Sequence, residues 1–278
     1  TIEKYGEKLE SFDIKRFNHN IIDPIKMIFD KTVYQTSWEE MVGNEIFRQR
    51  DKANNNDIGY FHQRIFQYIK NCTVPDNGTE GGWDVIYKNE DGIVLPDGDV
   101  VHTIYVEMKN KHNTMNSASA GKTYIKMQSQ LLDDDDCACF LVEAIAKKSQ
   151  NIKWETTVDG KKVSHRRIRR VSLDNFYALV SGEEDAFYKM CMILPSVIDK
   201  VVKQDNQDRV PHDTVVEELN QIASSLNMES DDIAMAMAIY MLGFSSYKGF
   251  SELFGSEYAN EPDAQIKRLY EYAKRLSK

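Results

Sequence analysis

The run CACFLVEAIA, residues 137–146, is the segment that most narrows what this chain can fold into. It is almost continuously apolar, too short for a membrane helix, and rich in residues that suit a strand buried on both faces. Such a strand lies inside a sheet covered by helices above and below. The segments around it supply those neighbours. WDVIY (83–87) and HTIYVEMK (102–109) read as two strands with a two-residue period, and the turn signals EDG and PDGD between them suggest a hairpin with a ragged loop. NIKWETTV and KKVSHRRIRR flank Asp159-Gly160, the strongest short hairpin signal in the chain.

Helical periodicity occupies both ends. SWEEMVGNEIFRQR has Trp38, Met41, Val42 and Phe47 at helix-like spacing, with Ser37 as N-cap and Glu40 at the capping-box position. The polar run DKANNND is expected to break that helix, and Asn56 or Asp57 to cap a second one in which Ile58, Phe61, Ile65, Phe66 and Ile69 form a stripe. NKHNTMNSASAGK (110–122) is small and polar and reads as an ordered surface loop. Tyr124, Met127 and Leu131 then mark a helix ending at Asp133–Asp136, Ser172 caps a further helix, and residues 183–278 read as helical throughout, with the Met-rich MESDDIAMAMAIYM filling a helical core. The expectation is a three-layer α/β core with a mixed central sheet flanked by helices, plus a helical C-terminal section. In linear terms the core with its N-terminal helices covers residues 1–182, and the C-terminal section, packed on the core or used for dimerisation, covers 183–278.

A strand also presents chemistry. In Val106-Glu107-Met108-Lys109, alternation turns Glu107 and Lys109 to one face and Met108 to the core. Asp84, 23 residues earlier, sits within an apolar strand after Gly81-Gly82, where an acid has little structural purpose. Two carboxylates and an ammonium on paired strands suit divalent-cation-assisted phosphodiester hydrolysis. Asp84 and Glu107 would supply metal oxygens, the Met108 backbone carbonyl a further one, and Lys109 would orient water and stabilise charge on the phosphate. The bland alternative is a solvent-face ion pair, since acid-x-lysine is common on strands.

The net charge of −9 argues against a nucleic-acid partner at first sight, but charge is unevenly distributed. Residues 147–170 carry nine Lys/Arg against Glu155 and Asp159, a local balance of +7. Arg166, Arg167, Arg169 and Arg170, with His165, are candidates for phosphate or guanine contacts, and alternation puts Arg167 and Arg169 on one face. In the polar segment, Asn110, Lys111, His112, Asn113, Asn116, Ser117, Ser119 and Lys122 offer donors with little bulk, as DNA contact requires. Upstream, His62 and Gln63 could touch a metal-bound water or phosphate, or be ordinary surface residues. The four acids at Asp133–Asp136 lack a glycine-spaced calcium-loop pattern and read as a solvated helix end. Cys72, Cys137, Cys139 and Cys191 show no CxxC spacing and read as reduced thiols. The opening TIEKYGEKLESFDIKRF lacks a signal-peptide pattern, and no apolar run approaches a membrane span, which gives the expectation of a cytoplasmic protein without membrane association.

On Asp84, Glu107-Met108-Lys109 and the strand-helix-strand order that follows, the chain resembles the PD-(D/E)XK nuclease superfamily and, within it, the type II restriction endonucleases. Trp83 stands where the superfamily's nominal proline precedes the first acid. DKANNNDIGYFHQRIFQYI and VSLDNFYALVSG are further similar to enzymes that cut interrupted GC palindromes of the GGNCC type. This resemblance implies a restriction-endonuclease-like fold, Mg²⁺ as cofactor, double-stranded DNA as substrate with 5′-phosphate products, a homodimer matching a palindrome, a prokaryotic source and a cognate methyltransferase in the same system. A structure-specific repair or junction nuclease of the same superfamily, or a non-catalytic DNA-binding protein with this fold, would share the motif.

Overall fold

A computed structural model describes residues 5, 11–76, 79–112, 114–204, 211–225, 230–244 and 247. Their contacts fall into two compact units. Among the described residues, one takes in Asn55 through 204, and the other takes in those up to Asn54 and those after 210. The N-terminal helices up to Asn54 thus group by contact with the last described helices, whereas the sequence-based grouping placed them with the core.

The first unit is built on a six-stranded mixed sheet. Its strands are β1 (Cys72–Thr73), β2 (Val85–Val94), β3 (Val100–Lys111), β4 (Cys137–Ile145), β5 (Asn151–Val158) and β6 (Lys161–Ser172), in the order β1-β2-β3-β4-β6-β5. β3, β4 and β6 run parallel, while β1, β2 and β5 join their neighbours antiparallel. Cys137 to Glu143 of β4 are all buried, as expected for a strand covered on both sides. The β5–β6 turn is the Asp159-Gly160 pair, both at positive φ (47° and 76°), the geometry of a two-residue type I′ hairpin. Only one of the two turn signals between β2 and β3 turns the chain. PDGD does, with Leu95 N–H donating to the Asp99 carbonyl at 2.8 Å. EDG instead forms a bulge within β2, where the register shifts between Lys88 and Ile93 and the Asn89 side chain accepts from Asp91 N–H at 3.1 Å.

Helices cover both faces, which gives the expected three layers. Helix α4 (Ser117–Asp133) packs Tyr124 and Met127 with Trp83, Leu141, Trp154 and Ile168 on one face. On the other, α5 (Leu173–Ser181) and α6 (Ala186–Gln204) pack Phe176, Tyr177, Phe187 and Met190 against Val85, Met108, Phe140 and Val142. The expected surface loop 110–122 is instead mostly strand and helix. Asn110 and Lys111 close β3, a short connection follows, and Ser117–Lys122 begin α4. The signal for the helix was Asn116, whose side chain accepts from Ser119 N–H at 2.8 Å as an N-cap. Gly121 in that helix faces β5, where an added Cβ would make ordinary contact 3.6 Å from the Thr157 carbonyl.

The second unit packs α1 (Ile14–His19), α2 (Pro24–Tyr34), the start of α3 (Trp38–Arg64), α7 (Val215–Ser225) and α8 (Asp231–Phe244) around Phe17, Met27, Val42, Ile46, Leu219 and Ile239. Met235 and Met237 of the Met-rich stretch are buried here. Ser37 accepts from Glu40 N–H at 3.1 Å, as its capping role predicts. The expected break at DKANNND is absent, because α3 runs unbroken for 27 residues. Asn and Asp in mid-helix each cost only about 0.7 kcal/mol relative to alanine, and no Gly or Pro lies within DKANNND to add more. The expectation that helix continues to residue 278 lies beyond 247 outside the described residues.

Candidate active site

The acid-bearing ends of β2 and β3 meet through backbone and side-chain hydrogen bonds. Gly81 and Gly82 take consecutive positive φ values of 72° and 68°, a bend that residues with a Cβ adopt only with strain. Trp83 follows, buried in the α4 face, its indole N–H donating to Gln130 Oε1 at 3.0 Å. The chain is thereby fixed just before Asp84, whose N–H donates to the Val106 carbonyl at 2.9 Å. In return, Met108 N–H donates to Asp84 Oδ2 at 2.6 Å. The first acid is thus held against the backbone between the second acid and the lysine.

Alternation along β3 works as the sequence predicts. Met108 is buried among the residues of the α5–α6 face, while Glu107 and Lys109, half-buried, turn to the α4 face. Lys109 Nζ donates to Glu107 Oε1 at 2.7 Å. Lys126 of α4, which sequence reasoning did not single out, donates to Glu107 Oε2 at 2.9 Å and to the Gly82 carbonyl at 2.8 Å, with its ammonium 4.0 Å from the Trp83 ring centroid. Each oxygen of Glu107 therefore has its own ammonium.

Two acids and two lysines form one electrostatic cluster, in which the acids are driven apart. Burial pushes the Asp84 carboxyl up to about 6 and the charge of Glu107 adds to this, against the opposing Met108 N–H and both lysines. For Glu107 burial acts upward too, but the bonds from Lys109 and Lys126 outweigh it and hold the group below its ordinary value. The donor set is hard oxygen from two carboxylates, which suits Mg²⁺, an ion that keeps several of its waters and takes one or two protein carboxylates.

The other candidate residues are placed differently. His62 Nδ1 is buried without a partner and burial lowers its pKa, so the imidazole is neutral at pH 7; Gln63 is half-buried. Among the described residues, no hydrogen bond joins either to Asp84, Glu107, Lys109 or Lys126. Asn110 is half-buried with Oδ1 unpartnered. Lys111, Ser117, Ser119 and Lys122 are exposed, and Asn113 lies outside the described residues.

The basic hairpin does not present a free row of arginines. Arg166 and Arg167 both pair with Asp99, at 2.7 and 3.2 Å, and Arg167 also reaches the Asp135 carbonyl. Arg169, only 2% exposed, bonds Asp97 at 2.9 Å and both the side chain and the backbone carbonyl of Asn151. Arg170 is paired with buried Glu143 and donates to the His112 carbonyl at 2.9 Å, while His112 Nδ1 lies 2.9 Å from Glu143 Oε2. Along the strands, Ile168 is level with Cys139, and Leu141, level with Glu107, pairs with Arg170. Arg166 and Arg167 therefore lie at the far end of the parallel strands, about 10–13 Å short of Glu107.

A family model described as Eco47II restriction endonuclease matches residues 1–203. The chain belongs to this family. Similar proteins include the type II restriction enzyme Sau96I of Staphylococcus aureus, 30% identical over 204 residues, covering 70% of this chain and 73% of the relative. The type II restriction enzyme Eco47II of Escherichia coli is 28% identical over 201 residues, covering 68% and 77% respectively. The stretch matched to the Eco47II family includes the whole sheet, the acid-lysine cluster and nearly all of α6. Among the described residues, no helix is long and apolar enough to cross a membrane.

Proposed function

We propose that this member of the Eco47II restriction endonuclease family cuts double-stranded DNA at a short GC-rich palindrome of the GGNCC type, with Mg²⁺ as cofactor, and leaves 5′-phosphate ends. The observation that carries this reading is the Met108 N–H bond to Asp84, which fixes the two acids beside each other with Lys109 alongside. Asp84 and Glu107 would hold the cation, with the Met108 carbonyl as a further candidate oxygen. The bound cation would lower the pKa of a water molecule and offset phosphate charge. Lys109 would orient the attacking water and stabilise negative charge on the phosphate in the transition state. Burial by Trp83, Ile86 and the α4 face limits solvent around the cluster and strengthens these interactions.

A palindromic target implies a homodimer whose twofold axis coincides with that of the DNA, and a restriction system implies a methyltransferase that protects the same site. Family membership favours this reading over a junction or repair nuclease with the same motif. The test is digestion of a sequenced plasmid with MgCl₂ or with EDTA, followed by mapping of the ends. Discrete fragments with 5′-phosphate ends at one GC-rich palindrome, only with Mg²⁺, are expected. Sequence-independent cutting, or cutting confined to junctions, would overturn the proposal.

A further inference from the structure

Lys126 stands out because it reaches the cluster from another layer. Lys109 is two residues from Glu107 on the same strand, whereas Lys126 comes from α4 across the packed face containing Trp83, Tyr124 and Met127. Among the described residues its ammonium has three partners: Glu107 Oε2, the Gly82 carbonyl and the face of the Trp83 ring. Only the first is a carboxylate oxygen that a divalent cation would also take.

We propose that Lys126 is a positioning residue, a resident counter-ion that occupies Glu107 Oε2 until a divalent cation displaces it. The inference rests on the proposed metal-dependent activity. Three features carry it. Asp84 and Glu107 are matched in number by Lys109 and Lys126, so the cluster is charge-balanced without a metal when both acids are ionised. The carboxylate of Glu107 is ionised and pinned at both oxygens before any cation arrives, which spares the cost of an unpaired buried charge. Finally, the Gly82 carbonyl and Trp83 ring remain as partners once Oε2 is taken, so the ammonium can give up Glu107 without being left buried and unpaired. Gly81-Gly82 acquires a second purpose here, since the bend presents the Gly82 carbonyl to Lys126.

A counter-ion that must be displaced weakens metal binding, whereas a lysine that merely props up the fold strengthens it. The two roles differ in sign. Lys126→Met keeps a stem over Trp83 and removes the charge, Lys126→Gln removes the charge with a polar end, and Lys126→Arg keeps it. Titration of MgCl₂ into DNA-free protein by calorimetry, with thermal unfolding in EDTA to verify folding, reads the difference without any cleavage. Both neutral variants are expected to bind Mg²⁺ more tightly, by roughly tenfold, because a like charge beside the site is gone, and the Arg variant is expected to stay near wild type. Unchanged or weaker Mg²⁺ binding by a folded neutral variant would overturn the inference. Glu107→Gln separates the two levels: it should abolish most binding, and if it binds Mg²⁺ like wild type the metal site itself is wrong, and the inference falls with it.

Discussion

The acid-lysine cluster and the β5–β6 hairpin are both charged, and they use charge in opposite ways. At the cluster, four charged groups from β3, α4 and the residue before β2 converge on one half-buried spot, where burial pushes the Asp84 carboxyl up to about 6. Along the hairpin, the four arginines among the nine Lys/Arg behind the local +7 are spent on Asp97, Asp99, Glu143 and backbone carbonyls, while the five lysines are exposed. Local charge density in a sequence therefore does not tell which charges are free when the matching acids lie far away in the chain. The small Glu107-x-Lys109 signal marks the cluster proposed for the chemistry, while the four arginines of the large basic one are tied into the fold.

The largest expected contrast is in cleavage. Lys109→Ala should slow single-turnover cutting by on the order of 10²–10³-fold, as removal of one transition-state donor does elsewhere. Arg167→Ala should change it less than about tenfold, and comparable losses in both would erase the distinction. Next comes stability. Arg169→Ala empties a buried site and leaves the Asn151 side chain and carbonyl without their donor, and should destabilise the fold by about 3 kcal/mol in a denaturant titration. A stable Arg169→Ala protein with weakened DNA binding would return this arginine to the DNA surface.

The Asp84 carboxyl offers a subtler test. Its folded pKa of about 6 lies above the ordinary 3.8, so the folded state holds the proton more tightly than the unfolded state. The contribution of Asp84 to stability should fall as pH rises from about 4 to about 6 and then level off. Asp84→Asn removes this penalty while keeping an acceptor for Met108 N–H, and should stabilise the metal-free protein by about 2 kcal/mol at pH 8 but not at pH 4. Equal effects at both pH values would contradict the shift. Smallest of all, Arg166→Ala breaks an ion pair whose arginine is 60% exposed, and should change stability by no more than about 0.5 kcal/mol.

Much of this was legible in the sequence, for physical reasons that also explain the rest. Two-residue alternation, the Asp159-Gly160 turn and the apolar run of β4 are local signals, and they place all the longer strands. Asp84, Glu107 and Lys109 were legible because an acid in an apolar strand and a same-face pair are odd enough to notice. The continuity of α3 was not, since asparagines only weakly disfavour helix and packing decides the outcome. The start of α4 was hidden in small polar residues whose exposure in a first turn is ordinary. Lys126 sits at the border of the Tyr124–Met127 stripe, four residues after Lys122, and nothing local marks it. A lone clue was arithmetic: two acids with one lysine leave a charge unpaired. The fates of Arg167 and Arg169 depend on Asp99 and Asp97, 68 and 72 residues away in the chain, a distance no local pattern spans.

The most direct test of the cluster as the catalytic centre is single-turnover cleavage of a site-bearing duplex with Mg²⁺ by wild type and Glu107→Ala, each checked for folding and DNA binding. A folded Glu107→Ala protein that still binds the duplex but leaves it intact is the expected result. Cutting by that variant at a rate near wild type would place the chemistry elsewhere.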